Sequence, residues 1–94
     1  MSFRFEWDQD KARSNAVKHQ VTFQEAMTVF ADPLMVVFGD EKHSDGELRD
    51  IAVGHSAAGR LLLVSFTERA GVYRIISARR ANRRERKQYE EETY

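Results

Sequence analysis

The chain has 94 residues, 41% hydrophobic and 11% aromatic, which suits one small globular domain and argues against disorder. It contains no cysteine, so disulfides and thiolate metal sites are excluded, and no apolar run approaches the roughly 18 residues of a membrane span. The formal net charge is zero but unevenly spread: Arg60 to Lys87 holds nine Lys/Arg against two acids, Glu68 and Glu85, and the remainder holds six against thirteen. A cationic patch in an otherwise acidic chain sets up a directed field suited to a polyanion.

The N-terminus, MSFRFEWDQD, carries acids where a signal peptide would carry its apolar region, and the lack of cysteine fits a reducing, cytoplasmic setting. Phe3–Trp7 alternates aromatic and polar residues, the period of a short strand with Phe3, Phe5 and Trp7 on one face. Asp8 is placed to cap a helix through Gln20, with Ala12, Ala16 and His19 on its inner face. Thr22 and Glu25 form a capping-box pattern. The helix it opens places Phe23, Ala26, Met27 and Phe30 on one side and stops at Asp32-Pro33.

Leu34–Phe38 reads as a strand, Gly39–Glu47 as a polar loop and Leu48–His55 as a second strand. Ser56–Gly59 is the turn into a third, Arg60–Thr67, and Gly71 reverses the chain into Val72–Ala78. Asn82 and Glu85 form another capping box, opening a charged terminal helix whose apolar contribution is almost confined to Tyr89. The order predicts a single α+β domain over residues 1–94: a small antiparallel sheet of four to five strands, with the helices mostly on one face.

The basic cluster is the first candidate site. Regular alternation along Val72–Arg80 places Tyr73, Ile75, Ser77 and Arg79 on one face and Arg74, Ile76, Ala78 and Arg80 on the other. Arg69, at the end of the preceding strand, comes close to Arg74 if the two strands pair tightly. Arg83–Lys87 reads more simply as a solvated helix surface, whereas charges on a half-buried sheet need partners or a task. His19, His43 and His55 show no zinc spacing, so a metal site is not expected. Each is more often a surface or capping histidine than a catalytic base, and His19 is the best catalytic candidate of the three; Lys18 and His19 favour the dipole of the helix they end. Glu47 and Glu68 stand out among the acids by position, and Glu68 beside Arg69 serves equally as ion-pair partner or general base.

Three segments, FEWDQDKARSNAVKHQVTFQEAMTVFADP, LLLVSFTER and RIISARRANRRERKQYE, together resemble the BrnT family of type II toxin–antitoxin toxins. The similarity runs over about nine-tenths of the chain in the same order and spacing. It implies a RelE-like α+β fold, with two N-terminal helices on the sheet and a charged C-terminal helix. It also implies endoribonuclease activity without metal or cofactor, and neutralisation by a BrnA-type antitoxin. Operator DNA would then be bound only through the antitoxin, in a 2:2 assembly.

On that resemblance, Arg69, Arg74 and Arg79 are expected to clamp phosphate and transition state, with His19 or Glu68 as general acid or base. Lys18, Arg80 and Arg83 would guide the RNA backbone. A rival reading is a non-enzymatic interaction module, or a toxin poisoning another target, whose basic patch only binds. Gln20 stands where the family commonly has glycine after KH, which argues against a left-handed helix end there.

Overall fold

The computed structural model describes residues 4–40 and 49–93; Phe3, His43, Glu47 and Leu48 lie outside the described residues. The elements are β1 (Arg4–Glu6), α1 (Gln9–His19), α2 (Phe23–Met27) running into a 3-10 turn (Thr28–Ala31), β2 (Val36–Asp40), β3 (Arg49–His55), β4 (Leu61–Arg69), β5 (Val72–Arg80) and α3 (Arg83–Thr93). Strand β2 starts later than the apolar run suggests. Asp32 accepts the amides of Leu34, through Oδ1, and Met35, through its carbonyl, which winds Pro33 and Leu34 into a turn. The strand then continues through Gly39 and Asp40, which had read as loop.

The sheet order is β1-β5-β4-β3-β2. β2 to β5 form the expected antiparallel meander, but β1 pairs parallel to β5, Arg4 facing Val72 and Glu6 facing Arg74. The sheet is therefore mixed rather than purely antiparallel. The meander leaves the outer edge of β5 open, and the first strand of the chain fills it.

A register shift between Ser65 and Phe66 sets the faces of this sheet. Ser65 faces Ser77 but Phe66 faces Ile75, so Ile76 is an extra residue on β5, a β-bulge. Regular alternation therefore fails at that point. Tyr73, Ile75, Ala78 and Arg80 share the inner face, where α1 and α2 pack, with Leu62, Val64 and Phe66 of β4. Arg74, Ser77 and Arg79 share the outer face with Leu63, Ser65 and Thr67. Burial is the physical cause: an unbulged strand would put either Ile75 or Ala78, each 1% exposed, outside the core.

The inner core joins Val21, Phe23, Ala26, Val29 and Phe30 to Ala52, Leu62, Val64, Phe66, Ile75 and Ala78. Phe30 sits among Phe5, Phe66 and Tyr73 with ring centroids 5.2, 5.0 and 5.4 Å away. The 3-10 turn lies close on β3: a Cβ on Gly54 would come within 3.0 Å of Asp32 Oδ2 and 3.1 Å of Val29 Cγ1.

Helix α1 is capped by Asp8 Oδ1, which accepts the Asp10 and Lys11 amides at 2.8 and 3.0 Å. Its buried face centres on Asn15, 6% exposed, rather than on the alanines. The Asn15 side chain donates to the Val21 and Ala78 carbonyls at 2.9 and 2.8 Å and accepts the Ala78 amide at 3.0 Å. Ala78 lies beyond the reach of β1, so a side-chain amide completes the edge of β5 where the neighbouring strand has ended. The helix closes on Gln20 at φ 56°, ψ 35°. The left-handed end argued against on sequence grounds is thus present; the Gln20 amide bonds to the Ala16 carbonyl, and the Gln20 carbonyl accepts Arg60 Nη2 at 3.1 Å.

Two of the three helices cover the inner face, while α3 lies on the outer one, where Tyr89 is buried against Val53 and Leu61. Its capping box is formed: Asn82 Oδ1 accepts the Glu85 amide at 2.8 Å and Glu85 Oε1 accepts the Asn82 amide at 2.9 Å. The Tyr89 hydroxyl donates to Asp32 Oδ2 at 2.9 Å, and the His55 amide donates to the same oxygen at 2.8 Å.

Asn15→Ala strands the Ala78 peptide inside the core, and urea unfolding should show a loss of about 2–3 kcal/mol. Gln20→Gly relieves a left-handed residue that has a Cβ and should gain about 1 kcal/mol by the same measurement.

Candidate nucleic-acid interface

The bulge brings arginines from separate strands onto one surface. Arg74 and Arg79 lie on the outer face of β5, with Ser77 between them, and Arg69 is on the same face of β4. Thr67 faces Arg74 across the ladder, and Ser65 faces Ser77. On β3 the register places Ile51 beside Ser65, so Arg49, two residues earlier, falls on the same face at the level of Thr67. The outer surface thus has three hydroxyls at its centre and arginines around them. Its far end is closed by α3 over Val53 and Leu61.

These arginines differ in how far they are already committed. Arg79 makes a bidentate pair with Glu85, Nη1 to Oε1 at 2.8 Å and Nη2 to Oε2 at 2.7 Å, and also donates to the Arg80 carbonyl at 3.1 Å. The Glu85 side chain is 19% exposed and that of Arg79 40%, so the pair is shielded mainly on its carboxylate side, and it joins β5 to α3. The hydrogen bonds from Arg79 hold the Glu85 carboxyl below its usual range against the opposing effect of burial. Arg74 pairs with Glu6 through one contact at 2.8 Å, both side chains about half exposed. Such a pair contributes roughly 0–1 kcal/mol and gives way easily to another anion. Arg49 and Arg69 make no ion pair among the described residues.

The other sequence candidates lie elsewhere. Glu68 faces Tyr73 on the inner side, and its Oε2 accepts the Gly71 amide at 3.1 Å, closing the tight β4–β5 turn. His19 and Lys18 end α1, one helical turn beyond Asn15 and hence toward the Arg80 end of β5. Seven residues of strand, about 20 Å, separate Tyr73 from Arg80, so His19 and Glu68 occupy opposite ends of the sheet. The structure therefore brings Arg69, Arg74 and Arg79 together on one face. It places His19, Lys18, Arg80 and Glu68 across the sheet from them.

Arg80 lines a cleft of about 380 Å³ with Gly59, Arg60, Leu61, Ala81 and Arg86. Arg60 is engaged there by Glu25, whose Oε2 accepts its Nε at 2.9 Å and the Ser56 hydroxyl at 2.7 Å. The Arg60 contacts and the Ser56 hydrogen bond keep the Glu25 carboxyl low, against the opposing effect of burial. Arg83, the first residue of α3, is exposed.

Sequence reasoning missed Arg49, Ser65, Thr67 and Ser77 as members of one surface. Arg49 shares the parity of Ile51 and Val53 along β3, a signal available once the strand is paired. The hydroxyls carry no sequence mark at all.

Glu25, Asp32 and Glu85 are all held below the ordinary carboxylate range. For Asp32, burial acts to raise the value, but the His55 and Leu34 amides and the Tyr89 hydroxyl outweigh it. A folded-state pKa below the unfolded one gives stability that is complete above the unfolded value and disappears as pH falls through the folded value. Stability should therefore be nearly flat from about pH 7 to about pH 5 and fall below about pH 4. Glu85→Gln should be less stable at neutral pH and lose less on acidification, as read by chemical denaturation across that range.

Residues 7–85 match the family model described as "Ribonuclease toxin, BrnT, of type II toxin-antitoxin system". No curated protein sequence matches the chain. Among solved structures, the crystal structure of the Brucella abortus ribonuclease toxin BrnT superposes with a TM-score of 0.67 at 21% identity. The match covers 87% of this chain and 100% of that one. At that identity the superposition speaks for the fold, and the family match, spanning most of the sequence, supplies the membership: the chain belongs to the BrnT family of ribonuclease toxins of type II toxin–antitoxin systems.

Proposed function

We propose that this chain is an endoribonuclease toxin that cuts RNA without a metal ion, using the outer face of its sheet. The observation that carries the reading is the convergence of Arg69, Arg74 and Arg79 on one rigid surface through the β5 bulge. In such a reaction the 2′-oxygen attacks the adjacent phosphorus in line, and its proton passes to a base. The bond to the 5′-oxygen breaks, and that oxygen takes a proton. The products are a 2′,3′-cyclic phosphate and a 5′-hydroxyl. Negative charge builds on the phosphoryl oxygens, and guanidinium groups stabilise it through fixed, charge-assisted hydrogen bonds.

The arginines divide the work. Arg74 exchanges Glu6 for phosphate at little cost because that pair is half exposed. Arg69 approaches the same position from β4. Arg79, held by Glu85, acts chiefly by keeping α3 against the sheet, with its remaining surface toward the substrate. Lys18, His19, Arg80 and Arg83 would meet RNA that continues past the end of β5. Of the two proton-transfer candidates, the Glu68 carboxylate already serves the β4–β5 turn and His19 lies across the sheet toward the Arg80 end, so neither acts directly on a phosphate held over Thr67. The same reading makes the protein a RelE-like cytoplasmic toxin that arrests growth and is neutralised by a BrnA-type antitoxin in a 2:2 complex.

One observation favours the rival, a module that only binds: Arg74 and Arg79 both have carboxylate partners already. Incubating antitoxin-free protein with RNA in EDTA separates the two. Cleavage to cyclic-phosphate ends is expected, with Arg69→Ala and Arg74→Ala each lowering the rate by about 10²-fold or more. Binding without cleavage would give the function to the rival. Arg79→Ala should lower both activity and melting temperature, the second because α3 loses its bidentate anchor.

A further inference from the structure

The outer face holds one cation that the sequence did not mark and that no described contact explains. Arg49 opens β3, directly opposite Asp40 in the β2–β3 register, and is half buried. Its Nε is buried and has no hydrogen-bond partner, the one such side-chain atom among the described residues. A guanidinium nitrogen removed from water without an acceptor is destabilising, and for a charged group an anionic acceptor offsets that best.

The neighbours show where that partner would lie. Extending the β3–β4 register from Asp50 opposite Phe66 sets Arg49 opposite Thr67, which in turn faces Arg74 on β5. Arg49 and Arg74 therefore flank Thr67 from strands on either side, about 10 Å apart at the backbone, with Arg69 one step along β4. Two guanidinium groups at that spacing can both reach an anion seated over the threonine hydroxyl. A backbone phosphodiester has two charged non-bridging oxygens, so each can accept from one guanidinium while the Thr67 hydroxyl donates to either.

We propose that Arg49 binds a backbone phosphate of the RNA over Thr67, completing with Arg69 and Arg74 a phosphate seat built from three strands. This rests on the ribonuclease reading above and adds to it the residue that fixes the substrate from the β3 side. It assigns Arg49 a contact with substrate rather than a part in holding β2 to β3.

The test uses a fully 2′-O-methylated single-stranded RNA, which binds but cannot be cut, with affinity measured by fluorescence anisotropy over a salt series. Each phosphate contact on a single strand contributes about 0.7 to the slope of log K against log salt. Arg49→Gln should weaken binding about tenfold and reduce the slope by about 0.7, while Arg49→Lys, which keeps the charge, should retain the slope. In parallel, cleavage of unmodified RNA in EDTA should fall for Arg49→Gln, with the fold monitored by circular dichroism melting.

An unchanged slope in Arg49→Gln, with or without a lower melting temperature, would overturn the assignment and make Arg49 a residue of the strand pair. If Arg49→Gln does not fold, Arg49→Lys decides: a slope below that of wild type overturns the point-charge contact. Wild-type protein that neither binds nor cuts RNA overturns the ribonuclease reading itself, and Arg49 with it; wild-type cleavage beside an unaffected variant overturns Arg49 alone.

Discussion

The Asn15 side-chain amide holds the Ala78 peptide by both its N–H and its carbonyl, and much of the outer face depends on that hold. Strand β5 is paired by β1 only as far as Arg74, after which its edge would present unsatisfied backbone groups to the interior. Asn15 meets them at 2.8 and 3.0 Å and uses its second amide proton on Val21, tying the end of α1 into the same knot. With Ala78 fixed inward and Ile75 packed inward, the strand must absorb one residue between them, and Ile76 is that residue. The bulge is therefore a consequence of burial and edge satisfaction. Its effect is to put Arg74 and Arg79 on the same side.

Charge pairing then sorts arginines that the sequence presents as one block. Arg79 and Arg60 are each gripped by a shielded glutamate and belong to the scaffold: one anchors α3, the other braces the β3–β4 turn against α1 and α2. Arg74 has a half-exposed partner, and Arg49 and Arg69 have none among the described residues. Among the arginines of the outer face, those available to an anion thus lie near Thr67, while Arg80 and the α3 cations Arg83, Arg84, Arg86 and Lys87 are exposed and make no ion pair among the described residues. A zero net charge conceals this, because the compensating acids are spent on caps and scaffold pairs.

Helix α3, a highly charged segment, is anchored through Tyr89 and through the Arg79–Glu85 pair. Among its described side chains Tyr89 alone is buried, 5% exposed, and it reaches the carboxylate of Asp32, which also receives the His55 and Leu34 amides. Asp32 was legible only as a helix stop. Its role as the joint between the 3-10 turn, β3 and α3 comes from residues 23 and 57 positions away along the chain, which no local pattern can reveal.

Most of the elements were legible in the sequence, because each rests on local chemistry. Asp8, Thr22 and Asn82 cap the three helices, Gly71 turns the last hairpin, and the apolar run of β4 marks a central strand. The family resemblance was legible too, since it is carried by contiguous motifs. Tertiary structure decided what those motifs could not: the parallel pairing of β1, the left-handed end at Gln20, the burial of Asn15 and the side of the sheet to which each arginine points. The physical reason is the period of a strand. Side chains alternate every residue, so one inserted residue reverses every assignment beyond it, and only long-range packing of Ile75 and Ala78 into a shared core decides where that insertion falls.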